Sequence, residues 1–266
     1  MDDASAPLIV TQAGPVTTFR LNRPGRLNAL TPELHHMLQD AIDVFAGDEA
    51  QQIGVITGTG RAFCAGSDLK AMAGRGKAGG GAVRLPRCGY AGLVQRFDLD
   101  KPMIAAVNGT AMGGGFEIAL CCDLIIAADT ARFGLPEPQA GFVAVGGGPH
   151  RLVRDIGMKR AMEIVLTGRH VPAEEGKALG FVNEVVPGDM LDAVVHRWTE
   201  TLLRGGPLAV RASKAILCAS LGASSLPAAI GDQNGLAAMR RWRASDEPVE
   251  GPRAFAERRA PQWVRA

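Results

Sequence analysis

Little in this chain of 266 residues leans to one side. Its 29 Lys and Arg face 27 Asp and Glu, for a net charge of +2, and so small an excess argues against a dedicated nucleic-acid binder. No apolar run approaches the length of about 20 residues that a membrane-spanning helix requires. Cysteine is scarce and odd in number, as Cys64, Cys88, Cys121, Cys122 and Cys218. With no Cys-x-x-Cys pair, a disulfide framework or zinc site is not expected, and the cysteines read as buried free thiols. Cys64 has no apparent histidine partner that would make it a nucleophile. His35, His36, His150, His170 and His196 show no metal-ligand spacing. They read as structural or exposed, with His150 nearest the segment that matters below. The short acidic start Met1–Pro7 has neither a basic n-region nor an Arg-rich helix, which makes the cytoplasm the expected location. No internal repeat is visible.

What is present is apolar substance, 47% of residues, enough for one large domain with a sizeable core, or a core and a small appendage. Leu8–Val10 and Val16–Leu21 read as a hairpin across Ala13-Gly14-Pro15. Thr31 and Pro32 open a helix as cap and first-turn proline. Its apolar stripe is Leu34, Leu38, Ala41, Ile42 and Phe45, with His35 and His36 beside it, solvated or at its edge. Strands at Gly54–Gly58 and Met103–Val107 alternate with helical segments through about residue 145, the pattern of an α/β core. Gly74–Gly81, with five glycines plus Arg75 and Lys77, reads as a surface loop that is either a connector or a gate. From Pro187 onward helices dominate: Met190–Leu203, Pro207–Leu221, Leu226–Trp242 and Pro252–Arg259.

Two loop-to-helix junctions carry the chemistry. In one, Gly113-Gly114-Gly115-Phe116-Glu117 lies between a strand and an apolar helix running to Cys122. Glycines let a substrate approach the backbone, and a helix N-terminus offers unpaired N–H groups and partial positive charge. Gly66-Ser67-Asp68 forms the other, with Ser67 or Asp68 as a plausible cap. Each junction is able to aim one N–H at a common oxygen. A second glutamate, Glu137, follows Glu117 by twenty residues in Gly134-Leu135-Pro136-Glu137. Taken singly, the glycine-rich turn also fits a phosphate-binding turn or a bend, Glu117 a residue that caps or solvates a helix, and Glu137 a surface residue after Pro136.

Taken in order, the segments resemble the enoyl-CoA hydratase/isomerase (crotonase) superfamily. The matching runs are Leu21–Pro24 with Leu27–Leu30, Ala62–Lys70, Lys101–Gly109 into Gly113–Glu117, Phe133–Glu137, Leu166–Gly168 and the tail Glu250–Arg259. Gly89–Leu93, Phe97–Pro102 and the tail are similar to carnitinyl-CoA dehydratase-like members.

The resemblance implies an α/β fold, a spiral of β-β-α turns. Residues 1–200 would form the acyl-CoA-binding core and 201–266 a C-terminal helical region that builds trimers, often paired into hexamers. It implies an enzyme that adds water reversibly to a 2-enoyl-CoA thioester. The backbones of Ser67 and Gly114 would be the oxyanion donors, and Glu117 and Glu137 the acid/base pair.

Coenzyme A would be part of the substrate, so no resident cofactor and no metal are implied. Its contacts would come from Arg26, Leu27, Ala65, Gly66, Asp68, Leu69 and Lys70, and from Phe255 and Arg258 of an adjacent subunit. Ala144-Val145 stand where many relatives have Pro-Gly; Val145 keeps an N–H for a water, but its side chain is expected to narrow the space.

Two enzymatic alternatives stay open. Isomerisation needs one carboxylate to shuttle a proton between C2 and C4, leaving Glu117 dispensable. A carnitinyl-CoA dehydratase-type lyase is the other. An RNA-binding or scaffold role is disfavoured, because the first helix carries Glu33, Asp40 and Asp43 and no lysine.

Overall fold

The computed structural model describes residues 5–68 and 85–263. The expected hairpin forms from β1 (Leu8–Ala13) and β2 (Val16–Leu21), paired antiparallel. Helix α1 (Pro32–Gly47) follows, and Thr31 Oγ1 accepts the Leu34 N–H at 3.3 Å as the capping rule requires. Beyond it the chain lays one strand in each of two sheets in turn: β3 (Ile53–Gly58) then β4 (Ala62–Cys64), β5 (Met103–Val107) then β6 (Thr110–Met112), β7 (Leu124–Ala128) then β8 (Arg132–Gly134). With β9 (Val171–Pro172) and β10 (Glu184–Val186), the six-stranded sheet runs β1-β2-β3-β5-β7-β10 and the four-stranded sheet β4-β6-β8-β9. Helices α2 (Gly114–Cys121), α3 (Gly148–Ile156), α4 (Met158–Thr167) and α5 (Ala173–Leu179) fill the turns of this spiral. The fold is therefore the α/β spiral of β-β-α turns.

The larger sheet is buried on both faces, so its central strands are apolar throughout rather than alternating. Along β5, Met103, Ala105 and Val107 join the main core, while Ile104 and Ala106 join a second one with Leu191 and Val195 of α6 (Leu191–Leu203). Phe116 of α2 packs against Phe133 and Phe181, with ring centroids 5.2 Å away in each case. That contact sets the depth and rotation of α2, and hence of its N-terminus.

Four helices close the described chain: α7 (Pro207–Ser220), α8 (Leu226–Asp232), α9 (Ala237–Ala244) and α10 (Glu247–Ala256). The single helix expected over Leu226–Trp242 is broken. It yields to a 3₁₀ turn at Gln233–Gly235 and an extended Leu236, because Gly231, Asp232, Asn234 and Gly235 are all weak helix formers. The last helix begins at Glu247 rather than Pro252, its start set by Pro248 in the first turn and by Glu247 and Glu250.

His35 also departs from expectation. It is buried on α1, and its Nδ1 accepts the Ala91 N–H at 2.9 Å. Burial and then His36 lower its pKa to about 4, so it is neutral. His36 is exposed. Among the cysteines, Cys64 and Cys88 are buried, Cys121 and Cys122 partly so, and Cys218 is exposed, against the expectation of burial for all. Among the described residues no helix is long and apolar enough to cross a membrane.

Candidate active site

The first junction is held by a buried asparagine. Asn28, with φ 56, donates through Nδ2 to Thr59 O and Ala62 O at 3.0 and 2.7 Å and accepts the Arg23 N–H at 2.8 Å. This clamps the 27–30 segment beside the chain leaving β4. Ala65 N then donates to Leu27 O, Leu30 N to Gly66 O and Asp68 N to Leu30 O. Parallel pairing of this kind engages alternate residues, so the N–H of Ser67 points away from Leu30. Among the described residues no hydrogen bond engages it.

The second junction lies against the first. Gly113 takes φ 53, ψ −127, a conformation suited to glycine, and donates its N–H to Gly134 O at 2.9 Å. Gly114 is the first residue of α2, so its N–H belongs to the unpaired set of a helix start. A Cβ on Gly66 would stand 2.9 Å from Met112 O and 3.1 Å from Gly114 N, and one on Gly115 would stand 2.0 Å from Cys64 O. The junctions touch only because these positions lack side chains.

Both glutamates gather at the start of α2. Glu117 lies in its first turn, 3% exposed, and Oε1 accepts the Gly148 N–H at 2.9 Å. Burial pushes its pKa up to about 7, the charge of Glu137 adds to this, and the amides of Gly148 and Gly146 oppose it. Glu137 opens the 3₁₀ turn Glu137–Ala140. Its Oε1 is 2.9 Å from where a Cβ on Gly113 would be, which sets the carboxylate over the N-cap of α2. Its Oε2 is buried with no hydrogen-bond partner among the described residues, and burial raises its pKa. An orphaned buried oxygen invites a functional explanation.

One side chain of the site went unassigned in the sequence. Tyr90, the only tyrosine of the chain, places its hydroxyl 3.0 Å from Ser67 Oγ. A Cβ on Gly114 would stand 2.1 Å from that hydroxyl. The paired glycines Gly89 and Gly92 around a lone aromatic were the available signal. Cys64, beneath the site, is fully buried, and burial raises its thiol to about 12, which removes it as a nucleophile. Val145 is 84% exposed. Gly146 and Gly148 lie against the Glu117 side chain, where a Cβ would stand 2.4 Å from its Oε2 and 2.8 Å from its Cγ respectively.

The residues expected to hold coenzyme A are less concentrated. Arg26 is exposed on the turn Pro24–Arg26, and Leu27 follows it with φ 50. Both backbone polar groups of Gly66 are used, N–H toward Cys64 Sγ at 3.4 Å and C=O by Leu30. Asp68 pairs with Arg23 at 3.3 Å. Phe255 and Arg258 are exposed at the end of α10, and among the described residues no hydrogen bond or ion pair ties either side chain to the site. His150 is exposed on α3. Leu69, Lys70 and the Gly74–Gly81 segment lie outside the described residues.

Residues 11–266 match the enoyl-CoA hydratase/isomerase family. Carnitinyl-CoA dehydratase of Proteus mirabilis is 38% identical over 273 residues, covering 97% of this chain and 98% of that protein. The carnitinyl-CoA dehydratase of Salmonella typhi is 39% identical over 264 residues, with the same coverage. Among solved structures, an enoyl-CoA hydratase from Mycobacterium marinum superposes with a TM-score of 0.89 at 36% identity, covering 98% of this chain and 99% of that one. One from Mycobacterium tuberculosis superposes equally well, at 37% identity.

Proposed function

The chain belongs to the enoyl-CoA hydratase/isomerase family, and from that premise we propose that it adds water reversibly to the double bond of a 2-enoyl-CoA thioester. The observation that carries this reading is the meeting of four groups at one helix start. Two amides without described partners, of Ser67 and Gly114, lie beside the buried carboxylate of Glu117 and the half-buried one of Glu137.

In the hydration direction a carboxylate takes a proton from water as its oxygen attacks C3. The π electrons move toward the thioester, and the oxygen becomes an enolate held by the two amides. Donors of this type contribute on the order of 10²–10³ each in rate, because they are already oriented when charge develops. A carboxylic acid then delivers a proton to C2 as the enolate collapses. Dehydration is the same path reversed. The pair is suited to both steps because burial raises the pKa of each carboxyl from its ordinary value, and the proton inventory belongs to the pair rather than to either residue.

The thioester brings coenzyme A with it, so the proposed chemistry uses no resident cofactor or metal. The nucleotide end is proposed to run along Arg26 and Leu27, past Ala65, Gly66 and Asp68 toward Leu69 and Lys70, with Phe255 and Arg258 supplied by a second copy in a trimer or hexamer. The 38–39% identity to carnitinyl-CoA dehydratases favours a second, finer reading, elimination of water from a carnitinyl thioester, which uses the same groups.

The test is a panel of crotonyl-, longer enoyl-, 3-enoyl- and crotonobetainyl-CoA, followed by loss or gain of the conjugated enoyl absorbance. Wild-type protein is expected to hydrate at least one 2-enoyl thioester. Glu137→Gln is expected to fold normally and lose crotonyl-CoA hydration by at least about 10²-fold, the scale of a positioned acid or base. Wild-type-like turnover by that variant would remove the assignment.

A further inference from the structure

Tyr90 is held with more care than a packing residue needs. Gly89, Ala91 and Gly92 have φ of 74°, 56° and 63°, so three of four consecutive residues sit in the left-handed region. For Ala91 that conformation costs about 1 kcal/mol. The turn is nailed down from α1: His35 Nδ1 takes the Ala91 N–H at 2.9 Å, and Gln39 Oε1 takes the Cys88 N–H at 2.7 Å. A Cβ on Gly92 would stand 2.4 Å from Gln39 Cβ, so the turn docks on α1 through glycine alone. The Tyr90 ring then packs edge-on against His35, centroids 4.4 Å apart. Backbone strain that persists this way marks a position over-determined by its surroundings.

What the turn presents is a hydroxyl between the two junctions. It bonds Ser67 Oγ at 3.0 Å and lies against Gly114, the two residues whose amides flank the proposed oxyanion position. The hydroxyls of Ser67 and Tyr90 have two protons between them, and their mutual bond uses one. The other is left to donate to whatever oxygen lies between the amides. Burial, then the neighbouring Cys64 and the charges of Glu117 and Glu137, push the Tyr90 hydroxyl far above its ordinary range, so it donates without ionising.

We infer that the Tyr90–Ser67 hydroxyl pair is a third donor to the thioester oxygen, acting beside the backbone amides of Ser67 and Gly114 as the enolate forms. This deepens the hydratase reading and rests on it. No bond is made or broken in this role; the hydroxyl proton stays on oxygen while the acceptor gains charge. A phenylalanine would fill the same volume, so the hydroxyl alone is at stake.

The experiment compares wild type, Tyr90→Phe and Ser67→Ala. Steady-state kinetics use crotonyl-CoA, and acetoacetyl-CoA serves as a probe whose bound enolate absorbs in the near ultraviolet. Tyr90→Phe is expected to lower kcat about 10- to 100-fold with KM changed less than about threefold, the signature of a contact that strengthens as charge develops. Enolisation of bound acetoacetyl-CoA is expected to need a higher pH, by about one unit for each tenfold loss in enolate stabilisation. Ser67→Ala, which removes the hydroxyl partner and leaves the ring untouched, is expected to move kcat and the enolate in the same direction by less. Unchanged kcat and enolate absorbance in either variant would overturn the inference, as would an effect on KM alone, which would make Tyr90 a wall of the acyl pocket. Should Tyr90→Phe not fold, the Ser67→Ala result decides. Wild type without turnover of any enoyl thioester would instead sink the hydratase reading itself.

Discussion

Glu117 stands where burial and ionisation oppose each other. Only 3% exposed, with a pKa near 7 against 4.5 for the free side chain, it holds a proton in the folded protein over a pH window in which the unfolded chain releases it. Stability attributable to this residue therefore falls as pH rises from about 4.5 to about 7, and the penalty is complete above that. A shift of this size corresponds to about 3 kcal/mol. Glu117→Gln keeps an oxygen to accept the Gly148 N–H and removes the charge. It is expected to abolish hydration and yet raise unfolding free energy at pH 8 by about 1–3 kcal/mol, with the gain vanishing near pH 4. Urea titrations at both pH values, at one protein concentration, measure this. A variant no more stable than wild type at pH 8 would show that the carboxylate is not strained by burial.

At the scale of elements, what was legible in the sequence was local. Thr31 and Pro32 announced the start of α1, and the glycines 113–115 announced a helix start built for close approach, because caps and breakers act within one turn of chain. The two glutamates were legible as candidates from the family pattern, although neither the burial of Glu117 nor the orphaned Glu137 oxygen was. What escaped was non-local. His35 looks like an edge residue until Ala91, 56 positions away, donates to it, and Tyr90 acquires meaning only once its turn docks on α1 and meets Ser67. Glu247 is of the same kind. Helix α7 is preceded by Gly206, which offers no side-chain cap, and the Glu247 carboxylate supplies one from 39 and 38 residues on, accepting the N–H groups of Leu208 and Ala209 at 2.8 Å each. Glu247→Ala leaves two donors of a helix start without partners and is expected to destabilise the protein by about 1–3 kcal/mol. Thermal unfolding of the variant checks this; an unchanged transition would mean that water replaces the cap without penalty.

Over the whole molecule, ion pairs tie the last helices to the spiral. Arg211 of α7 pairs with Asp100 at 2.8 Å and Glu49 at 2.9 Å, and Lys214 pairs with Asp123 at 2.7 Å. The apolar cluster described among these helices has Ala212, Ala238 and Met239 as its buried members. Meanwhile Leu217 on α7 and Leu221 just past its end, with Leu226 and Ile230 on α8, are each more than half exposed. Large side chains left outward on neighbouring helices are the mark of an unfilled interface, and a closed ring of copies is the arrangement that covers such a surface on every subunit. The proposed trimer or hexamer accounts for this surface and for the exposed Phe255 and Arg258, which would reach a neighbouring nucleotide site. Sedimentation is therefore expected to give three or six times 27.9 kDa. The double variant Leu217→Glu, Leu221→Glu, which places like charges on the apolar face, is expected to shift the protein to smaller species. It should also raise KM for acyl-CoA substrates at least about tenfold, since a lost cationic and aromatic contact of this sort is worth about 1–2 kcal/mol. A wild-type monomer at micromolar concentration with full turnover would dissolve both the interface and the shared nucleotide site while leaving the chemistry at α2 untouched.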